Sequence, residues 1–340
     1  MCCPKRVPWI TLSAFVSLIL LVAVIAFAHV EAEEYLNPIT IEPFDSWIFT
    51  QPMQKARSGT AATTLSDTIY VVGGWNVNFG GSLSDTETYD ESDNVWASKA
   101  DMPTARNGLG LASAIGKVFA IGGWNNAAES PVASTEVYDP HADSWSTVKP
   151  MPKARNSLAT VSVDDKIYAI GGWNGQTLDD VTVYDPISDT WTILSPMPTP
   201  RNSLAAVSVN GMIYAIGGYD GITATSKVEV YNPIRDEWNS AMNMPTARWG
   251  MGAAVVNGKV YVVGGDAVRS PMATNEEYDP ETNTWTTVAP MRTPRWGLGV
   301  VAVSGKLYAI GGRGDGGDLA TGEVYNPPAA AMVYLPTVLR

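Results

Sequence analysis

Short apolar runs and turn residues alternate along most of the chain, without a sustained helical period. Residues 166–172 (KIYAIGG) are typical, because an apolar stretch long enough for one buried strand ends at two glycines. Residues 182–186 (TVYDP) represent a second kind of strand, which a turn stops. Short strands at regular spacing with turn signals between them predict an all-β chain.

These strands belong to a unit that recurs six times, with spacings of 46 to 49 residues. Each copy has a Gly-Gly pair, whose first members are Gly73, Gly122, Gly171, Gly217, Gly264 and Gly311. A tyrosine follows each pair: Tyr89, Tyr138, Tyr184, Tyr231, Tyr278 and Tyr325. Seven residues later, five copies have a tryptophan: Trp96, Trp145, Trp191, Trp238 and Trp285. A Met-(Pro)-x-x-Arg segment supplies the repeat arginines Arg57, Arg106, Arg155, Arg201, Arg248 and Arg295. One four-stranded unit cannot bury both of its faces, whereas six units around an axis can, which predicts a propeller.

The double glycine, the tyrosine and the spaced tryptophan together resemble the kelch repeat family over residues 47–327. The resemblance implies a six-bladed kelch β-propeller with four antiparallel strands per blade. The sixth copy has Met332 where its tryptophan is due, and Trp47 lies 49 residues before Trp96. We therefore expect the N-terminal strand around Trp47 to close the ring, which removes an exposed sheet edge. The tail, residues 328–340, is the alternative for that position.

Comparison of the six copies locates a candidate site. The distances from the repeat arginine to the Gly-Gly pair and from the tyrosine to the next arginine are constant, so all length variation lies between the glycines and the tyrosine. Loops tolerate such variation and carry function. Since strands within a blade are antiparallel, the residue after the arginine and the residue after the glycines are expected to be neighbours. Kelch ligand contacts come from these two positions, and the resemblance implies the same face here.

Each copy has one aromatic residue at these two positions. The residues after the glycines are Trp75, Trp124, Trp173, Tyr219, Asp266 and Arg313. The residues after the arginines are Ser58, Asn107, Asn156, Asn202, Trp249 and Trp296. An aromatic mouth with a few polar groups suits a saccharide, and it also suits a peptide, for which Trp, Tyr and Arg are common anchors. The alternative is that the aromatics pack together and plug the channel.

Residues that recur in nearly every copy are expected to belong to the scaffold. The repeat arginines are interpreted as partners of a carboxylate two residues before each tyrosine: Glu87, Glu136, Glu229, Glu276 and Glu323, with Thr182 in the third copy. An Asp or Asn after each tyrosine is expected to brace a turn.

The N-terminal segment has the pattern of an export signal. Lys5 and Arg6 precede an apolar stretch over residues 7–28, and small residues follow. Residues 1–32 are therefore interpreted as a signal peptide, with an uncleaved membrane anchor as the alternative. A linker over 33–46, the propeller over 47–327 and the tail over 328–340 complete the predicted organisation. The expected location is secreted, periplasmic or at the cell surface.

Composition excludes several classes of function. The formal net charge of -12 argues against nucleic-acid binding, which needs clustered Lys and Arg. The only cysteines are Cys2 and Cys3, and the only histidines are His29 and His141, so we expect no metal and no cofactor.

The leading hypothesis is an exported, monomeric binding module without catalytic residues. The alternative is an enzyme, because some bacterial exported kelch-like propellers with six blades interconvert sialic acid anomers. That chemistry needs acid–base groups, for which Asp266 and Arg313 are the best pair. We find no catalytic motif of that family to carry over.

Overall fold

The computed structural model describes residues 45–328. The expected signal or anchor (1–32), nearly all of the linker (33–46) and nearly all of the tail (328–340) lie outside the described residues, so those boundaries stay predictions. Within residues 45–328 the one helix is the 3-10 turn Val77–Phe79, and no helix there is long and apolar enough to cross a membrane.

Six four-stranded antiparallel sheets form the six blades, which confirms the propeller prediction. We name the strands of each blade a to d, from the axis outward. Blade 1 consists of Ala61–Leu65, Thr68–Val72, Thr86–Asp90 and Val95–Lys99. Blade 2 consists of Gly110–Ala114, Lys117–Ile121, Thr135–Asp139 and Ser144–Val148. Blade 3 consists of Ala159–Val163, Lys166–Ile170, Val181–Asp185 and Thr190–Ile193. Blade 4 consists of Ala205–Val209, Met212–Ile216, Val228–Asn232 and Glu237–Ser240. Blade 5 consists of Gly252–Val256, Lys259–Val263, Asn275–Asp279 and Thr284–Val288.

Blade 6 closes the ring with strands from both ends of the described chain. Its strands a to c are Gly299–Val303, Lys306–Ile310 and Gly322–Asn326, and its strand d is Ser46–Phe49. Trp47 pairs with Tyr325, and their rings stack with centroids 5.2 Å apart. The expectation that the strand around Trp47 completes this blade is therefore confirmed.

The hydrophobic core lies between blades. Six clusters of buried side chains each combine residues from two neighbouring blades. The Gly-Gly pair makes this close packing possible: a Cβ on Gly171 would lie 2.4 Å from the carbonyl oxygen of Arg201 in the next blade. The N–H of Gly172 donates to that same carbonyl at 2.9 Å. A side chain at the first glycine would therefore push two blades apart.

The repeat arginines are scaffold residues, as the sequence predicts. Each guanidinium is buried, and five of them form ion pairs: Arg57–Glu87, Arg106–Glu136, Arg201–Glu229, Arg248–Glu276 and Arg295–Glu323. In blade 3, Arg155 instead donates to the Thr182 hydroxyl at 2.7 Å. Burial lowers the pKa of all six arginines, and in the five paired blades the carboxylate opposes that shift.

A second repeated network holds the outer strands. The hydroxyl of each repeat tyrosine donates to an Asp or Asn, as Tyr138 does to Asp143 at 2.6 Å. Asp143 also accepts the Ala100 N–H at 2.9 Å, and the Ala100 carbonyl accepts the indole N–H of Trp145 at 2.9 Å. The Asp or Asn after a repeat tyrosine braces its turn, as expected: Asp139 accepts the His141 N–H at 3.0 Å.

A closed ring of backbone hydrogen bonds surrounds the axis at one end of the channel. It joins the second residue after each repeat arginine: Gly59, Gly108, Ser157, Ser203, Gly250 and Gly297. Each N–H donates to the carbonyl of the preceding blade, over 2.6 to 2.8 Å. All six residues have φ between +52° and +65°. The ring fixes the distance between blades at the end of the channel where the candidate site lies.

Candidate functional site

The two predicted positions are neighbours in every blade. The structure pairs Ser58 with Trp75, Asn107 with Trp124, Asn156 with Trp173, Asn202 with Tyr219, Trp249 with Asp266, and Trp296 with Arg313. In blade 5, the N–H of Trp249 donates to the Asp266 carbonyl at 3.0 Å, and the N–H of Asp266 donates back at 2.8 Å. Side chains of such an antiparallel pair lie on the same face of the sheet.

A third position completes each blade's contribution. In the loop between strands b and c, one residue pairs with the residue after the glycines: Ser82, Pro131, Thr177, Ala224, Pro271 and Asp318. This third residue reaches the next blade. The Asn107 amide donates to the Ser82 hydroxyl at 2.9 Å, and the Ser58 hydroxyl donates to Asp318 at 2.7 Å. We call this circle of three residues per blade the mouth belt.

The third position is polar in blades 1, 3 and 6 and apolar in blades 2, 4 and 5. At the junctions of blades 4 and 5 and of blades 5 and 6, the third position holds Ala224 and Pro271, which cannot form such a side-chain hydrogen bond. The residues opposite them are Trp249 and Trp296, whose ring centroids lie 5.1 Å apart at 58°. The aromatics therefore do not form an even six-membered ring.

Two concave spaces meet at Trp249. A central cavity of about 230 Å³ is lined by the residues of the axial ring, by Trp249, Trp296 and Asn107, and by apolar side chains such as Leu109 and Met251. A cleft of about 450 Å³ lies between the b–c loops of blades 4 and 5, with Tyr219 and Trp249 on its walls. We call this second space the 4/5 cleft. Of the six predicted aromatics, Trp75, Trp124 and Trp173 line neither space.

The indole N–H groups divide the tryptophans into two sets. All six tryptophans of the d strands donate to a backbone carbonyl of the neighbouring blade: Trp47, Trp96, Trp145, Trp191, Trp238 and Trp285. The five belt tryptophans are partly exposed, and their indole N–H groups have no hydrogen-bond partner among the described residues: Trp75, Trp124, Trp173, Trp249 and Trp296. The belt therefore presents unused donors together with aromatic faces.

Asp266 and Arg313 are not joined in the structure. Arg313 pairs with Asp318 in its own loop, with Nη1 3.4 Å from Oδ1. Asp266 is only 3% exposed, beside Trp249. Its Oδ1 is buried and has no hydrogen-bond partner among residues 45–328. The geometry thus separates the two groups proposed for acid–base chemistry, and their roles stay a prediction.

The asparagines of the mouth belt differ in how many hydrogen bonds their side chains form. The Asn202 amide donates to the Thr177 hydroxyl at 3.3 Å, and its oxygen accepts the Ser203 hydroxyl at 3.0 Å. Asn156 of blade 3 follows Pro131, the third residue of blade 2, around the mouth belt. Its buried Oδ1 has no partner among the described residues. A buried acceptor without a partner costs folding free energy.

Sequence reasoning predicted Asn202, Tyr219 and Trp249 of the 4/5 cleft but missed Asp318 and the cleft residues Ile222, Val268 and Arg269. Asp318 accepts bonds from Ser58 and from the Val77 N–H at 3.2 Å, so it links blade 6 to blade 1. Ile222 and Val268 flank the cleft and are among the most exposed apolar side chains of the described part. Length variation had indicated these loops, but it did not indicate which of their side chains face the mouth.

The fold and the belt define a six-bladed propeller that carries its variable side chains on one face. A family model described as "KLHDC2/KLHL20/DRC7 Kelch-repeats domain" matches residues 46–218. A second model, "Kelch motif", matches residues 200–245, 247–292 and 294–329. The chain therefore belongs to the kelch repeat family, whose propellers commonly serve as protein-interaction modules.

One similar solved structure is titled "Structure of YjhT". It is 16% identical to this chain, with a TM-score of 0.71, and the match covers 81% of this chain and 95% of that one. No curated protein matches the chain. Because 922 solved chains match in structure, the fold alone does not single out a ligand.

Proposed function

We propose that the protein is an exported, monomeric binding module whose mouth belt holds a saccharide or a peptide. The observation that carries the proposal is the set of five belt tryptophans with unused indole N–H groups. A plug of aromatics would use its donors internally, because buried donors without partners are costly. Here aromatic faces and free indole N–H donors lie together on one face.

Glycan and peptide arrays probed with the full chain test this proposal. The double variant Trp124→Ala plus Trp173→Ala removes two faces whose ring centroids lie 6.3 Å apart. We expect loss of any ligand that stacks there, by about tenfold or more. Trp124→Phe plus Trp173→Phe keeps aromatic faces and removes the N–H donors, so it separates stacking from hydrogen bonding. Unchanged binding in the alanine double variant would contradict an aromatic site.

A sugar-modifying enzyme of the sialic acid mutarotase type is the second candidate, supported by the unpartnered buried oxygen of Asp266. A carboxylate without an internal partner is available as an acid or base. Mutarotation assayed with the full chain and with Asp266→Asn tests it, with Arg313→Ala as a second variant. Activity that is lost in Asp266→Asn would replace the binding-only proposal. Absence of mutarotation in the parent protein would remove this candidate.

Export is part of the proposal and rests on the basic, apolar and small-residue pattern of residues 1–32. Fractionation followed by N-terminal sequencing of the mature protein tests it. Cleavage is expected after Ala32 or after Ala28, and an intact N-terminus in a membrane fraction would indicate the anchor instead. Light scattering of the purified protein tests the monomeric state.

A further inference from the structure

The 4/5 cleft differs chemically from the rest of the mouth belt. Its walls are Tyr219 and Trp249, and its outer flanks are Ile222 and Val268. Ile222 is 87% exposed and Val268 is 85% exposed. A single exposed aliphatic side chain needs no explanation, but two that flank one apolar concavity indicate an interaction site.

The loop of blade 4 is built to hold Ile222 outward. The carboxylate of Asp220 accepts the Ile222 N–H at 2.9 Å and the Thr223 N–H at 2.8 Å. These two backbone bonds lower the pKa of Asp220. The Tyr219 hydroxyl donates to the Ile222 carbonyl at 3.2 Å. Hydrogen bonds within the loop thus hold the backbone at Ile222 in the conformation that exposes its side chain.

Aliphatic flanks favour one of the two ligand classes of the proposed function. A saccharide stacks its C–H face on a flat aromatic ring and needs hydrogen-bond partners for its hydroxyl groups. Branched aliphatic side chains provide neither. A peptide side chain such as Leu, Ile or Phe would bury the exposed surfaces of Ile222 and Val268, and this burial is favourable in water.

The rim of the cleft carries a cation that the protein does not use. Arg269 is exposed, and it has no ion pair or hydrogen bond among the described residues. Two other cations near the mouth are engaged: Arg313 pairs with Asp318 at 3.4 Å, and Lys227 donates to Thr199 at 2.9 Å. An unengaged guanidinium beside an apolar cleft is complementary to a carboxylate next to an apolar side chain.

We propose that the 4/5 cleft binds an acidic, hydrophobic peptide segment of a partner protein. The apolar side chain of the segment packs between Ile222 and Val268 against Trp249, and its carboxylate pairs with Arg269. This inference rests on the proposed function of the mouth belt and assigns its ligand class and subsite.

A displayed library of random octapeptides, selected on the full chain, tests the inference. Enriched peptides are expected to contain Leu, Ile, Val or Phe next to Asp or Glu. The affinity of a selected peptide is expected to fall about tenfold or more in Ile222→Ser plus Val268→Ser. Arg269→Gln is expected to weaken binding about threefold and to reduce its dependence on NaCl, since the ion pair is exposed.

The chain offers matched controls on the opposite end of the propeller. Ile187 and Ile234 are 82% and 96% exposed and lie in c–d turns, and Arg235 is exposed in one of these turns. Ile187→Ser plus Ile234→Ser and Arg235→Gln are expected to leave peptide binding unchanged. Equal losses in the test and control variants would overturn the inference.

The outcomes separate this inference from the proposed function. A ligand that depends on Trp124 and Trp173 but tolerates Ile222→Ser plus Val268→Ser would overturn the cleft and leave the belt proposal intact. Enriched peptides without an apolar residue would also overturn the cleft. Failure of both the octapeptide library and the glycan array to yield any ligand would count against both proposals.

Discussion

Replacement of Glu229 by Gln should destabilise the propeller strongly, although the two side chains have nearly the same shape. Glu229 accepts the Arg201 Nη2–H at 2.8 Å and the Thr199 hydroxyl at 2.7 Å. The Arg201 side chain is 0% exposed and that of Glu229 is 7% exposed. Glutamine keeps an acceptor oxygen but leaves the guanidinium charge without a counter-ion.

The size of the effect follows from this geometry. Removing one partner of a buried ion pair costs about 3–5 kcal/mol, because the other charge stays buried and uncompensated. Arg201 retains bonds to the carbonyls of Gly217 at 2.9 Å and Lys227 at 3.0 Å, which favours the lower end, about 3 kcal/mol. For a domain of this size, each kcal/mol lowers Tm by roughly 2 °C, so we expect a decrease of about 6 °C. Circular dichroism and calorimetry measure it.

Blade 3 offers the reverse experiment. Arg155 is buried and has Thr182 in place of the glutamate, while Lys153 pairs with Asp180 at 2.8 Å. Blade 1 has the same lysine–aspartate pair together with Arg57–Glu87, so the repeat accommodates both pairs at once. Thr182→Glu is therefore expected to raise Tm. A Tm of Glu229→Gln within about 1 °C of the parent would refute the charge argument.

Three further outcomes test the scaffold. Gly171→Ala should cost about 2 kcal/mol more than Gly211→Ala, because both glycines have positive φ but only Gly171 lacks space for a Cβ; equal costs in urea unfolding would contradict this. Trp145→Phe should cost about 1 kcal/mol more than Trp124→Phe, because only Trp145 has an indole hydrogen bond to lose; calorimetry compares the two variants. Burial raises the pKa of the repeat tyrosines, so the folded state retains their protons where the unfolded chain loses them. Their contribution to the free energy of unfolding is therefore complete below pH 10 and is lost as the pH rises above it. The tyrosines concerned are Tyr89, Tyr138, Tyr184, Tyr231, Tyr278 and Tyr325. Tm measured from pH 8 to pH 11.5 should fall above pH 10, and a constant Tm would count against this prediction.

The repeat made much of the fold predictable from one sequence. Six copies provide an internal alignment, so a constant spacing between Arg155 and Gly171 could be interpreted as one rigid unit. The same alignment placed Trp47 in the sixth blade and paired Trp249 with Asp266, and the structure agrees on both points. Where the copies agree, the physical cause is the same in every blade, and the sequence pattern is sufficient to predict the structure.

The rest depends on loop contacts that the repeat pattern does not encode. Arg313 pairs with Asp318 in its own loop, so the pair proposed from the sequence, Asp266 and Arg313, forms no ion pair among the described residues. One repeated signal was overlooked, since an Asp or Asn stands five residues after each of the first five tyrosines, as Asp143 follows Tyr138. The 4/5 cleft had no such signal, because its loops share their length with the loop of blade 6 and no repeated residue marks Ile222 or Val268.

In blades 5 and 6 the aromatic residue stands after the repeat arginine instead of after the glycines. The third residue of the preceding blade gives a physical reason for this shift. In blades 1 and 3, the loop offers a hydroxyl to the next blade, and the amide N–H of an asparagine there donates a hydrogen bond to it. Blades 2, 4 and 5 offer Pro131, Ala224 and Pro271 instead. Opposite Pro131, the Asn156 oxygen is buried without a partner among the described residues, whereas an indole opposite Ala224 and Pro271 avoids that cost. The result is that Trp249 and Trp296 converge on one side of the axis, at 5.1 Å. A symmetric scaffold cannot by itself favour one side for a ligand, so we expect this break in the repeat to favour blades 4 to 6 for the peptide proposed at the 4/5 cleft.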